Sequence, residues 1–200
     1  MNTHPYDLLT PDLVIDAVES VGYLSDVRLL ALNSYENRVY QVGIEEGEPL
    51  IAKFYRPERW SDEQIMEEHR FSLELQAAEI SVVAPLVDSS GQSLHNFQGF
   101  RFALFPRRGG YPPELDNPDN RLVLGRTLGR IHAVGRAGSF RVRPQLSVER
   151  MLVQSREFLL DGFIPQELVP AYDSLTADLL GMVNTVMGEI RPGDMSRIHG

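Results

Sequence analysis

The chain has 200 residues, 42% of them apolar and 24% charged, with a formal net charge of −9 and no cysteine. That length suits one domain or two small lobes with a real core. The missing cysteine excludes disulfides and thiolate metal sites, the acidic balance argues against general nucleic-acid binding, and no apolar run approaches the ~20 residues of a membrane span. The start, MNTHPYDLLTPD, has neither the basic opening nor the apolar centre of a secretory leader. The expectation is therefore a cytoplasmic monomer with no nucleic-acid or membrane partner.

In chain order, TPDLVIDAVESVG reads as a helix, with Thr10 as N-cap, Pro11 at its first position and Gly22 at its stop. Leu13, Val14, Ala17, Val18 and Val21 form its apolar face. The period then shortens. VRLLALN, RVYQVGI and PLIAKFY are three β-like runs joined by SYEN and by the turn around Gly47, which suggests an antiparallel meander. Ser61 and Gln64 form a capping-box pattern ahead of IMEEHRFSLELQAA, whose Ile65, Phe71 and Leu75 should face inward and leave Glu67, Arg70 and Glu74 nearer water. SVVAPLV (81–87) and FRFALFP (100–106) read as two more strands, with DSSG and HNFQG as connections. After a Pro/Gly-rich stretch, PRRGGYPPELDNPDN, helices dominate: one from Asn117–Pro118 to about Gly135, one capped by Ser147, and a third that Pro170 should bend or split. MSRIHG should begin something strand-like. The order predicts an α+β chain, with a sheet-rich lobe over 1–106 and a helical lobe over 107–200.

Two charge features stand out. Residues 101–150 hold ten arginines against four acids, a local +6, so the remainder carries −15. Solvated faces and salt bridges explain such an imbalance, and so does a surface that meets an acidic or phosphate-bearing partner. The second feature is Lys53. Eighteen of the 19 basic residues are arginine, and position 53 alone is lysine. Strand alternation puts Lys53 on one face with Ile51 and Tyr55, while Leu50, Ala52 and Phe54 face the other way. An arginine would snorkel to water equally well. A compact ammonium that must fit between phosphate oxygens is the case that favours lysine over a planar guanidinium. His4, His69, His95 and His132 show no metal-ligand spacing, and His132 is most simply a packed helix residue.

The segments LNSYENRVYQV, KFYRPERW, EEHRFSLEL, NFQGFRFALFP and LGRIHAVGR resemble the bacterial stress response kinase A proteins. These belong to the aminoglycoside phosphotransferase/choline kinase branch of the protein-kinase-like fold. The resemblance spans nearly the whole chain. It implies a two-lobed kinase-like fold and ATP-dependent, Mg²⁺-assisted phosphoryl transfer to Ser/Thr hydroxyls of a protein substrate. Kinases of small amino alcohols, aminoglycosides or homoserine, and an inactive binding module, remain alternatives. By resemblance, NSYEN (33–37) takes the place of the glycine-rich loop, with Ser34 and backbone N–H groups at the phosphates. Lys53 is the phosphate-positioning lysine and Glu68 its helix partner, with Glu67 the alternative. Phe105 and Arg107 are candidates to meet adenine through main-chain groups. RIHG resembles the opening of a catalytic loop, with His199 and Gly200 followed by a proton-accepting Asp and then the Asn and Asp that bind metal. No catalytic or metal-binding residue is therefore expected within the chain. It reads as the first part of a longer enzyme with an incomplete C-terminal lobe, inactive alone.

Overall fold

The computed structural model describes residues 5–198. His199 and Gly200, the expected start of the catalytic loop, lie outside the described residues. Two compact units divide the chain, Met1–Val134 and Gly135–Gly200.

In the first unit, α1 (Pro11–Glu19) starts where expected: the Thr10 hydroxyl accepts the Leu13 N–H and Pro11 occupies the first turn. A five-stranded antiparallel sheet follows, in the order β1 (Ser25–Leu32), β2 (Arg38–Ile44), β3 (Leu50–Phe54), β5 (Phe100–Pro106), β4 (His95–Phe97). The sheet's α1-side face carries the main core, where Val42, Leu50, Ala52, Phe54, Phe102 and Leu104 close against Val14, Ala17 and Val18 of α1 and against Tyr6 and Leu9. Phe54 and Phe102, directly opposed across β3 and β5, stack with ring centroids 5.3 Å apart. The opposite face carries a smaller cluster of Tyr55, Ala103 and Ile65, the last from α2 (Asp62–Ala77). The predicted capping box is present: the Ser61 hydroxyl accepts the Gln64 N–H, and the Gln64 side chain accepts the Ser61 N–H.

Three expectations are corrected in this unit. Residues 81–87 are not a strand. Pro85 has no N–H to give a ladder, and the backbone bond recorded from this stretch to the sheet is Leu86 N–H to the Leu104 carbonyl, 2.7 Å. The strand lies instead in what read as a connection. His95–Phe97 pairs with β5 through a tight turn at Gln98 and Gly99, whose φ values of 48° and 87° suit the left-handed turn that closes a two-residue hairpin. Finally, Glu67 is 7% exposed rather than solvated, and His69 beside it is 1% exposed. Helix α2 is covered along a wider arc than its apolar residues indicate.

The helices α3 (Pro118–Arg136), α4 (Gln154–Leu160) and α5 (Val169–Gly188) follow. The helix expected from Ser147 to Leu160 is continuous, but its first turns, Glu149–Val153, are wound as a π-helix. Pro170 neither bends nor splits α5. It sits in the first turn, where a missing N–H costs nothing. Residues 195–198 have no regular structure, against the strand expected there.

Candidate nucleotide-binding site

Ladder register decides what surrounds Lys53. Paired residues of an antiparallel sheet share a face. Lys53 is opposite Val39 on β2 and Ala103 on β5, and Ile51 is opposite Gln41 and Phe105. These residues form one face, the one turned away from α1. At the end of β3 near Lys53 lies the β1–β2 loop, since Arg38 pairs with Phe54 and the Asn37 side chain accepts the Arg56 N–H at 3.2 Å. Phe105 to Arg107 lie toward the other end of β3, where Pro106 is opposite Leu50. Lys53 and Ile51 are about 7 Å apart along the strand. The face thus runs from the loop, past an ammonium, to the exit of β5.

The Lys53 ammonium donates to a Glu68 carboxylate oxygen at 3.3 Å and sits 4.8 Å above the centre of the Tyr55 ring. Both members of the ion pair keep some exposure, 25% for the Lys53 side chain and 32% for that of Glu68. The pair is therefore held in place yet open to a ligand. Of the two carboxylates weighed from sequence, Glu68 is the one paired with Lys53. Helix geometry turns Glu67 roughly 100° away.

The loop 33–37 holds its shape without a glycine. The Ser34 hydroxyl donates to the Asn37 carbonyl at 2.6 Å. The Glu36 carboxylate is gripped from the segment after β3: Trp60 donates its ring N–H at 2.7 Å and Arg59 its Nε at 3.0 Å. Burial pulls the Glu36 carboxyl upward, but these hydrogen bonds, with the charges of Arg59 and Arg56, outweigh it and hold the group below its ordinary value. From the N-terminal side, the Tyr6 hydroxyl lies 3.2 Å from the Glu36 carbonyl and 3.3 Å from that of Phe54. Burial raises the Tyr6 pKa to about 12, so it remains a donor at any ordinary pH. Tyr35, at the loop's tip, is fully exposed. Sequence reasoning missed this clamp. Its signal was the segment RPERW directly after the lysine strand, an indole and guanidinium close behind a loop that carries one carboxylate.

At the β5 end, alternation along the strand matters. Leu104 turns its carbonyl away from β3 to accept Leu86, so Phe105 turns its N–H and C=O toward Ile51 in the ladder. The Phe105 ring packs edge-on against His69. Arg107 lies beyond the ladder, with its Nε donating to the Gln41 side chain at 2.9 Å.

A family model for phosphotransferase enzymes matches residues 28–183, more than three-quarters of the chain. The chain belongs to the phosphotransferase enzyme family. Stress response kinase A of Shigella flexneri is 42% identical over 196 residues, 98% of this chain and 59% of that protein. A serine/threonine protein kinase RdoA of Salmonella typhimurium is 42% identical over 183 residues, 91% of this chain and 56% of that protein. The chain thus spans about three-fifths the length of the curated relatives it matches. Among solved structures, an amicoumacin kinase in complex with AMP-PNP, Ca²⁺ and Ami superposes with a TM-score of 0.71 at 19% identity, over 90% of this chain and 54% of that one. A spectinomycin phosphotransferase bound to ADP and spectinomycin gives 0.59 at 13% identity, over 90% and 59%. These distant structures share the fold, and the kinase-like α+β architecture read from the sequence is the one observed.

In phosphotransferase terms, the first unit brings Ser34, Lys53, Glu68, Phe105 and Arg107 onto or beside one sheet face. Among the described residues, no group of three or more His, Asp or Glu side chains is placed to hold a metal ion. No helix among the described residues is long and apolar enough to cross a membrane.

Proposed function

We propose that this chain is the ATP-binding part of a kinase that transfers the terminal phosphoryl group of ATP to Ser/Thr hydroxyls of proteins. The observation that carries the reading is the Lys53–Glu68 pair at 3.3 Å, partly exposed on the sheet face that α1 leaves open. Glu68 holds the ammonium at a fixed height above that face, so Lys53 can meet α- and β-phosphate oxygens without first being ordered. The braced loop 33–37 lies at the phosphate end of the face, where Ser34 and the loop backbone would meet the triphosphate. Leu30 and Leu32 of β1, 56% and 36% exposed, stand in register with Gln41 and Val39 on the same face and offer apolar surface to a base. Phe105 and Arg107 border the base at the β5 exit, where the Arg107 main chain, beyond the ladder, is better placed than that of Phe105 to bond it. A divalent cation such as Mg²⁺ would neutralise charge on the phosphates. In this reading the proton-accepting Asp, and the Asn and Asp that hold the cation, follow His199 and Gly200.

The protein acceptor is supported by the 42%-identical relatives, whose names are those of stress response and serine/threonine kinases. The small-molecule kinases above are too distant to speak to the acceptor. The test is incubation of the full-length protein with γ-labelled ATP. The proposal expects label on its own Ser or Thr residues, or on those of added protein. Transfer only to added amino alcohols or aminoglycosides would overturn the protein acceptor, and no transfer to any acceptor would overturn the kinase reading.

A further inference from the structure

Behind the Lys53–Glu68 pair lies a buried polar chain that phosphate binding does not itself require. The Tyr55 hydroxyl is 2.6 Å from His69 Nε2, and His69 Nδ1 is 2.8 Å from the Ser93 hydroxyl. All three residues are at most 2% exposed. Ser93 in turn donates to the Met66 sulfur at 3.9 Å. A neutral imidazole donates from one ring nitrogen and accepts at the other, so in either tautomer His69 bonds both the Tyr55 and the Ser93 hydroxyls. Burial drives the His69 pKa down to about 4, with smaller downward pushes from the charges of Lys53 and His95 and an opposing pull from Glu68. The imidazole is therefore uncharged at neutral pH, which leaves one ring nitrogen able to accept a hydrogen bond.

The elements joined are the ones that carry the nucleotide candidates. Tyr55 follows β3, two residues after Lys53, and its ring face supports the ammonium at 4.8 Å. His69 follows Glu68 on α2, and its ring meets Phe105 edge-on, centroids 6.3 Å apart. An apolar side chain would fill this space with no polar group to desolvate. What it would not do is fix the rotation of the Tyr55 ring. We propose that His69 is a positioning residue: through the Tyr55 hydroxyl it locks the aromatic ring on which the Lys53 ammonium rests, and so sets where that charge meets nucleotide phosphate. The idea rests on Lys53 being the phosphate ligand.

Position 53 is the only lysine of these 200 residues. In full-length protein labelled with ¹³C at the lysine ε-carbon, the methylene signal that disappears in Lys53→Arg reports Lys53, shifted upfield by the Tyr55 ring. It is read without nucleotide in the parent, His69→Leu, His69→Gln and Tyr55→Phe proteins. Gln reaches the position of Nε2 and can still hydrogen-bond the Tyr55 hydroxyl; Leu cannot. The proposal expects the signal to move toward the free-lysine position in His69→Leu and in Tyr55→Phe, and to stay near the parent in His69→Gln. KM for ATP should follow the same order, rising roughly tenfold for His69→Leu, in keeping with the ~10²-fold that a full ångström of misplacement can cost. A signal unmoved in a folded His69→Leu protein, or moved as far by Gln as by Leu, overturns the proposal. Should His69→Leu fail to fold, Tyr55→Phe decides alone, because it keeps the ring and removes only the hydroxyl. A signal that moves as expected while KM stays constant would overturn the role of Lys53 at phosphate and leave the brace standing.

Discussion

His69 gives the protein an acid-sensitive joint whose strength follows from its burial. An imidazole 1% exposed is not screened by water, and its pKa falls from an ordinary 6.5 to about 4. Between those values the unfolded chain binds a proton that the folded protein refuses. The stabilising contribution is thus complete above pH 6.5 and is lost as pH falls toward 4. Integrating the two titrations from pH 7.5 to pH 5 gives a loss of about 2 kcal/mol, with a slope near 1.2 kcal/mol per pH unit at pH 5.5. Trp60, the only tryptophan, lies in the first unit, so its fluorescence reports that unit's unfolding in urea. The comparison is with His69→Gln, which keeps a hydrogen bond to Tyr55 but cannot titrate. His95, also pushed down by burial, and the Asp and Glu residues titrate in both proteins and cancel in the difference. The parent should lose about 2 kcal/mol more than His69→Gln between pH 7.5 and pH 5. Identical pH dependence in the two proteins would refute the buried neutral imidazole.

Three further outcomes follow from the same packing. Phe54→Ala empties a fully buried site stacked on Phe102 and should cost about 3–5 kcal/mol in the same urea assay. Gly99→Ala places a Cβ at φ 87° in the β4–β5 turn and should cost roughly 1 kcal/mol, although no neighbour lies within 4 Å to obstruct it. Glu36→Ala leaves the Trp60 ring N–H without its acceptor; it should cost about 1–2 kcal/mol, shift Trp60 emission and raise KM for ATP in the full-length protein.

What was legible in the sequence was local. Thr10, Pro11, Ser61 and Gln64 announce their helices because caps act within four residues, and the meander shows because strand alternation is periodic. Lys53 was visible because one lysine among 18 arginines is a compositional exception. The features that escaped depend on distant partners. His95–Phe97 is a three-residue strand, too short for alternation to register, and it exists because β5 offers it a ladder. Residues 81–87 look β-like in composition, yet Pro85 lacks the N–H that a ladder needs at its position. The burial of Glu67 and His69 could not be read from α2 alone, since polar residues on a helix are buried only when partners such as Ser93 and Tyr55 arrive to satisfy them. The Glu36 clamp likewise joins residues more than twenty positions apart. Pro170 shows that a proline cue can be right about position and wrong about consequence: at a first turn it starts the helix that it would break further in.

The most direct test of the central claim, that the Lys53 ammonium grips nucleotide phosphate, is to titrate the Lys53 ε-¹³C signal of the full-length protein, assigned by its loss in Lys53→Arg, with ATP and, separately, with adenosine. ATP should shift that signal saturably while adenosine leaves it in place. A signal that ignores saturating ATP, or that responds equally to adenosine, would contradict the account.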